Sequence, residues 1–263
     1  ELHSTRRDSG GTVTGRFSSS NPNLQQLPAR DPDIKRYIRG IFIPEEGQKW
    51  GSFDYSSQEP RLLVHFASMI PSTIRHPIVD QTVNLGIMYG MGVAKLADQL
   101  GISKEAAKDL IGRHHSKVPF VKGLADLATK QGDKNGQIRT VMGRRCRFHL
   151  WEPVTFGIGK PLPYDEAMKE YGGPGGRGIR RAFTYKALNK LIQGSAADQT
   201  KKAMLDCYNE GLTPMLTVHD ELCFSIESEE QASKIKEIME TGMPLAIPSK
   251  IDVDIKDHWG EIE

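Results

Sequence analysis

Three stretches of this chain can fold back on themselves as strand pairs, and helical patterns separate them, an order that restricts any sheet to antiparallel pairing. The first runs from Gly40–Ile43 through the turn-like Pro44-Glu45-Glu46-Gly47 to Lys49–Asp54. The second, Gln137–Leu150, turns at Gly143, and the third, Met215–Ile226, carries His219-Asp220-Glu221 at its turn. Lys250–Ile255 alternates apolar and charged residues as an edge strand does. Arg61–Met69, Val79–Leu100 with an interruption at Tyr89-Gly90-Met91-Gly92, the segment after Ser103, Pro119–Gln131, Arg180–Tyr208 and Glu229–Met239 read as helices. Hairpins with helices between them predict an α+β fold. The first thirty residues, rich in Gly, Ser, Thr, Asn and Pro, are expected to form a long ordered loop. The seven glycines and three prolines between Phe156 and Gly178 are expected to form a flexible insertion.

Composition narrows the class. With 38% hydrophobic and 26% charged residues the chain predicts a globular, soluble protein, and no apolar run reaches the roughly 18 residues of a membrane span. Glu1–Arg7 is polar and has no secretory apolar core, and Cys146, Cys207 and Cys223 are odd in number and far apart. Reduced thiols in a cytosolic-type compartment are therefore expected. No CxxC or HxxxH spacing points to zinc, and Gly159-Lys160 is followed by Pro161, which excludes a Walker loop. The net charge of +2 hides an asymmetry: residues 1–205 carry 31 basic and 19 acidic side chains, residues 206–263 carry 4 and 14. A basic body beside an acidic C-terminal part fits a polyanion-binding surface next to a carboxylate-rich metal site, though ordinary variation between surface faces gives the same totals.

Asp54 ends an apolar strand in SFDYSS, and Asp220 sits at the tight turn of TVHDELCF. Two carboxylates at strand ends can lie side by side, where mutual repulsion calls for cations. Mg²⁺ is held by one or two carboxylates plus phosphate oxygens, so a two-metal phosphoryl-transfer site is one reading. The other, commoner for a single Asp, is a turn residue that hydrogen-bonds its own backbone.

Five ordered blocks resemble the signature segments of family A DNA polymerases: TGRFSSSNPNLQQLP (14–28), DYSSQEPR (54–61), NLGIMYG (84–90), NKLIQGSAAD (189–198) and VHDE (218–221). The resemblance implies a right-hand polymerase fold, with palm at 1–69 and 136–263 and incomplete fingers at 70–135. It also implies template-directed addition of deoxynucleoside triphosphates to a primer-template DNA in the cytoplasm of a bacterial or phage-infected cell, or in an organelle. Asp54, Asp220 and the carbonyl of Tyr55 match the ligands of two Mg²⁺ ions, with Mn²⁺ as a substitute, and Glu221 supports them. Glu59 matches a steric gate over the sugar, with Gln58 beside it. Leu85 matches the position next to the incoming sugar, where relatives often carry Phe or Tyr, and Tyr89 the aromatic at the template-base position. Arg16, Asn189 and Gln193 match minor-groove contacts, which check pair geometry without reading sequence, and His219 matches a contact to the primer-terminal phosphate. Lys104–Arg147, with 11 basic and 4 acidic residues, is a candidate backbone-contact surface.

One block departs from the family. The cations that grip the triphosphate lie eight and four positions before the residue matching Leu85. Here those positions are Pro77 and Gln81, and no Lys or Arg lies between Arg75 and Lys95. Either a deletion has crippled nucleotide binding, leaving a primer-template binding fragment, or the chain joins across a fingers segment of a larger polymerase between about Ile70 and Asp80. The joint persistence of Asp54, Glu59, Tyr89 and Asp220 favours the second. A metal-dependent nuclease would leave Glu59 and Tyr89 unexplained.

Overall fold

The structure, a computed structural model, describes residues 2–3, 12–28, 31–70, 97, 103–117, 119–155, 159–172 and 178–262. Leu85, Tyr89, all but Ala97 of the helix expected at Val79–Leu100, and the junction between Ile70 and Asp80 lie outside the described residues. In chain order the elements are β1 (Leu2–His3), β2 (Ser18–Ser19), α1 (Pro32–Arg39), β3 (Lys49–Tyr55), α2 (Gln58–Ser68), α3 (Lys104–Lys117), α4 (Pro119–Asn135), β4 (Gln137–Arg139) and β5 (Arg145–Arg147). There follow β6 (Leu150–Pro153), β7 (Leu162–Pro163), α5 (Tyr164–Tyr171), β8 (Ile179–Arg181), α6 (Ala187–Asn209), β9 (Leu216–Val218), β10 (Glu221–Ile226), α7 (Glu229–Thr241) and β11 (Ile251–Lys256). Contacts group the chain into two units, 1–65 with 193–263, and 66–192. The first division falls near the expected 69/70 boundary, the second well beyond 135/136. Among the described residues no helix is long and apolar enough to cross a membrane.

The first unit is built on an antiparallel sheet of order β11-β3-β10-β9. Side chains alternate across a strand, so Phe53 and Tyr55 of β3 share one face with Leu222, Phe224 and Ile226 of β10 and Ile251 of β11. That face packs against Ala203 and Cys207 of α6 and Ile235 and Met239 of α7, and full burial of residues such as Phe53 and Leu222 stabilises by about 1.5–3 kcal/mol each. On the opposite face Trp50, Val218 and Cys223 pack with Trp259 and Ile262. Gly51 is required where β3 meets β10: a Cβ there would come within 2.5 Å of Ile226 Cγ1.

The strand expected at Gly40–Ile43 is absent. Asp31 caps α1 by accepting from the amides of Asp33 and Ile34, with Pro32 in the first turn, and β3 takes its partners from β10 and β11 instead. Helix α1 turns its cations inward, Lys35 donating to the carbonyl of Ile262 and Arg39 lying 4.3 Å over the Trp259 ring. Its Ile34, Tyr37 and Ile38 are exposed. Ser228 caps α7 as a good N-cap should, and β11 is an edge strand as its alternation predicts.

In the second unit Ser103 Oγ caps α3 by accepting from Ala106. Strands β4 and β5 form the expected hairpin, with Gly143 at φ +79° in its turn. The helix expected from Arg180 begins at Ala187, because Ile179–Arg181 pairs with β6 and Phe183 is left-handed at φ +64°. The stretch expected as a flexible insertion is structured where described: β7 joins the sheet β7-β6-β8 and α5 follows it with Ala167 buried. The Tyr164 ring meets Trp151 edge-on at 5.1 Å. Cys146, Cys207 and Cys223 are free and buried.

Candidate active site

Register brings the acids together. Asp54, the penultimate residue of β3, pairs directly with Glu221 of β10 on one side and Asp252 of β11 on the other. Directly opposed residues project from the same face, so three carboxylates form a row across three strands. Asp220 adds a fourth from the two-residue loop between β9 and β10, whose first residue, His219, adopts φ +56° as such tight turns demand. His219 itself is exposed.

The electrostatics of the row follow from like charges sharing a partly desolvated corner. Burial, then the charges of Asp220, Glu221 and Asp252, push Asp54 up from 3.8 to about 7. Burial also raises Asp220, opposed by nearby Arg16 and His219. Glu221 is drawn back toward the sheet, its Oε1 accepting from Ser52 Oγ and contacting Cys223 Sγ at 3.2 Å. Asp252 has a cation of its own, Lys250 at 3.2 Å. Tyr55 sends its side chain to the other face, its hydroxyl donating to the carbonyl of Met239 at 2.9 Å. Only its backbone could serve the carboxylate row.

Two other predicted positions, Glu59 and Arg16, lie near these acids. Glu59, in the first turn of α2, is buried and paired with Arg16; burial raises its pKa, the guanidinium lowers it, and Asp220 raises it. Arg16 is presented by a turn in which Thr12 Oγ1 donates to the Arg16 carbonyl at 2.8 Å and Gly15 takes φ +84°. Lys201 lies 4.6 Å over the ring of the next residue, Phe17. Gln58 does not face the acids: its amide donates to the Ala196 carbonyl and Thr200 Oγ1, at 3.3 and 3.1 Å, so it braces α2 against α6. Asn189 and Gln193 are one turn apart on α6, and Asn189 Oδ1 is buried with no hydrogen-bond partner among the described residues. Sequence reasoning missed Asp252 and Ser52; the alternation of β11 was legible, but not that β3 would be its partner.

The donors suit a hard cation. Like-charged oxygens that hold one another's protons are relieved by a divalent ion, and carboxylates select Mg²⁺ or a similar ion over softer metals. Among the described residues no group of three or more His, Cys, Asp or Glu is placed to hold an ion by side chains alone. Such a site would be completed by backbone oxygen, water or substrate.

The family model for DNA polymerase family A matches residues 2–71 and 78–261. A DNA-directed DNA polymerase of Pseudomonas phage M6 is 34% identical over 316 aligned positions, covering 95% of this chain and 44% of the relative. The thermostable DNA polymerase I of Thermus aquaticus is 31% identical over 291 positions, covering 98% and 32%. A solved structure, the POL domain of Pol1 from M. smegmatis in complex with DNA primer-template and dNTP, matches with a TM-score of 0.70 at 28% identity, over 95% of this chain and 46% of that one. The architecture is that of a polymerase domain. The chain belongs to DNA polymerase family A, and it spans less than half the length of these relatives. Both alignments exceed the chain's 263 residues, so these relatives carry internal segments that this chain lacks. The family match breaks at 72–77, inside the stretch between Ile70 and Asp80 where the sequence suggests a join.

Proposed function

We propose that this chain is the palm and part of the fingers of a template-directed DNA polymerase that adds deoxynucleotides to a primer 3′-hydroxyl. One observation carries the reading: Arg16, the pair Asp54 and Glu59, and Asp220, from three separate blocks of the sequence, meet in one compact unit. In this proposal residues 1–69 and 136–263 form the palm and 70–135 belong to the fingers, and the acids lie in the compact unit 1–65 with 193–263. Asp54, Asp220 and the Tyr55 carbonyl hold the divalent ions, two Mg²⁺ in the fullest form, and Glu221, braced by Ser52, keeps the carboxylates aligned. When bound, such ions lower the pKa of the primer hydroxyl and offset the triphosphate charge as the in-line transition state forms. The primer oxygen bonds to the α-phosphorus, pyrophosphate departs and the hydroxyl proton goes to solvent.

Glu59 occupies the space a ribose 2′-hydroxyl would need and so selects deoxyribose. Arg16, Asn189 and Gln193 donate to minor-groove acceptors, and His219 contacts the primer-terminal phosphate. Leu85 and Tyr89 take the sugar and template-base positions that the family resemblance gives them. Mg²⁺-dependent primer extension tests the reading. Asp54→Asn and Asp220→Asn should each lower extension by about 10³-fold or more, as expected when a ligand of the reacting centre is lost, while duplex binding stays within a few-fold. Unchanged extension in either variant would refute the assigned roles.

The absence of Lys and Arg between Arg75 and Lys95 favours a second reading, a primer-template binder with impaired triphosphate binding. Tight duplex binding without extension by the unaltered chain would select it.

A further inference from the structure

Arg16 and Glu59 are 43 positions apart in sequence and paired within one compact unit. Their environments differ. The Glu59 side chain is 10% exposed and Arg16, among the described residues, is its one side-chain partner, whereas 37% of the Arg16 side chain reaches solvent. A carboxylate buried to that degree is costly unless a cation with good geometry faces it, and a planar guanidinium presents five N–H donors in a rigid fork. Only one nitrogen of that fork is engaged with Glu59. The turn behind Arg16 is itself held, by the Thr12 hydroxyl, the left-handed Gly15 and the Lys201–Phe17 contact, so the guanidinium is delivered from a fixed backbone. The same cation is near enough to the hairpin-loop acid Asp220 to act on it electrostatically.

Resting on the polymerase reading above, we propose that Arg16 is a positioning residue for sugar selection: one edge of its guanidinium fixes the Glu59 carboxylate against the incoming nucleotide's sugar, and the solvent-facing edge takes the primer-template. Occupancy by DNA and discrimination against ribose are thereby coupled through one side chain. Without Arg16, the Glu59 carboxylate loses its counter-ion and its fixed orientation, and the space a 2′-hydroxyl needs opens.

The test compares kcat/KM for a dNTP and its matching rNTP in single-nucleotide extension with Mg²⁺. The proteins are the unaltered chain, Arg16→Ala, Arg16→Lys, Glu59→Gln and the Arg16→Ala/Glu59→Gln double variant. The dNTP/rNTP ratio should fall about tenfold in Arg16→Ala, the size expected for a charge-assisted hydrogen bond. It should recover in part in Arg16→Lys and fall no further when Arg16→Ala is added to Glu59→Gln. An unchanged ratio in Arg16→Ala, with DNA affinity alone reduced, overturns the proposal; so does a full tenfold effect in the Glu59→Gln background. A thermal-denaturation cycle over the same four proteins and the double variant, in EDTA and without DNA, reads the pair apart from activity. Glu59→Gln should shift Tm differently with and without Arg16, and identical shifts overturn the pairing. If the unaltered chain extends no primer, the polymerase reading fails alone, and the thermal cycle still decides whether Arg16 positions Glu59.

Discussion

Asp54 stands in the middle of a row of acids, and in the metal-free protein its ionisation works against folding. Its pKa in the folded state, about 7, lies above the ordinary 3.8, so the folded chain keeps this proton while the unfolded chain releases it. Stability from this group is therefore full below about pH 4, is lost as pH rises toward about 7, and stays lost above. Asp220 and Glu59 are raised as well and act in the same sense. In EDTA the Tm should fall between about pH 5 and pH 8, and Asp54→Asn should shrink that fall. Added Mg²⁺ should restore Tm at pH 8 far more than at pH 5, where protons compete for the same oxygens. A pH-independent difference between the chain and Asp54→Asn in thermal melts would contradict the shared-charge account of the site.

Among the elements, those closed by a local turn were legible and those closed by distant partners were not. The hairpins β4–β5 and β9–β10 announce themselves through Gly143 and His219-Asp220, and the α3 helix through its Ser103 cap. The partners of β3 are another matter: residues 221–226 and 251–256 lie far along the chain, and the alternation of one strand says nothing about which other strand will face it. Helix α1 hid for a different reason. Its Lys35 and Arg39 pack inward on Ile262 and Trp259 while Ile34, Tyr37 and Ile38 face outward, the reverse of the pattern that marks a helix on a core. In the glycine-rich stretch, Tyr164–Tyr171 contains no Gly or Pro and opens with Asp165 and Glu166, a helical start that the flanking glycines concealed. Of the site, the two aspartates and Glu59 were readable from motifs, whereas the in-register approach of Asp252 and the brace from Ser52 exist only once three strands pair. The tightest joint among these elements is Gly51. Gly51→Ala should destabilise by about 1–3 kcal/mol through overpacking against Ile226 and Phe53, measured as a lower denaturant midpoint with an unchanged m-value.

At the scale of the molecule, the near-neutral charge conceals a division that should govern binding. Residues 1–205 hold an excess of 12 positive charges, and phosphate contacts made by such a body release counter-ions. Affinity for a primer-template duplex should fall at least about tenfold between 50 and 200 mM salt, and a salt-independent binding constant in fluorescence titrations would contradict a DNA-facing basic body. The break in the family match at 72–77 includes Pro77, one of the two positions where the family resemblance leads one to expect a cation for the triphosphate. The affinity for nucleotide, more than the affinity for DNA, is where this chain should depart from longer family members.

Strand β11 closes one side of the sheet and carries Asp252, Asp254 and Lys256 on the face it shares with Asp54. An unpaired strand border is an invitation to a second chain, and a border lined with charge declines it. The acid that faces Asp54 thus guards the sheet against growing into its neighbours, so the same carboxylates that make the corner attractive to a cation also keep separate copies of the protein from joining strand to strand.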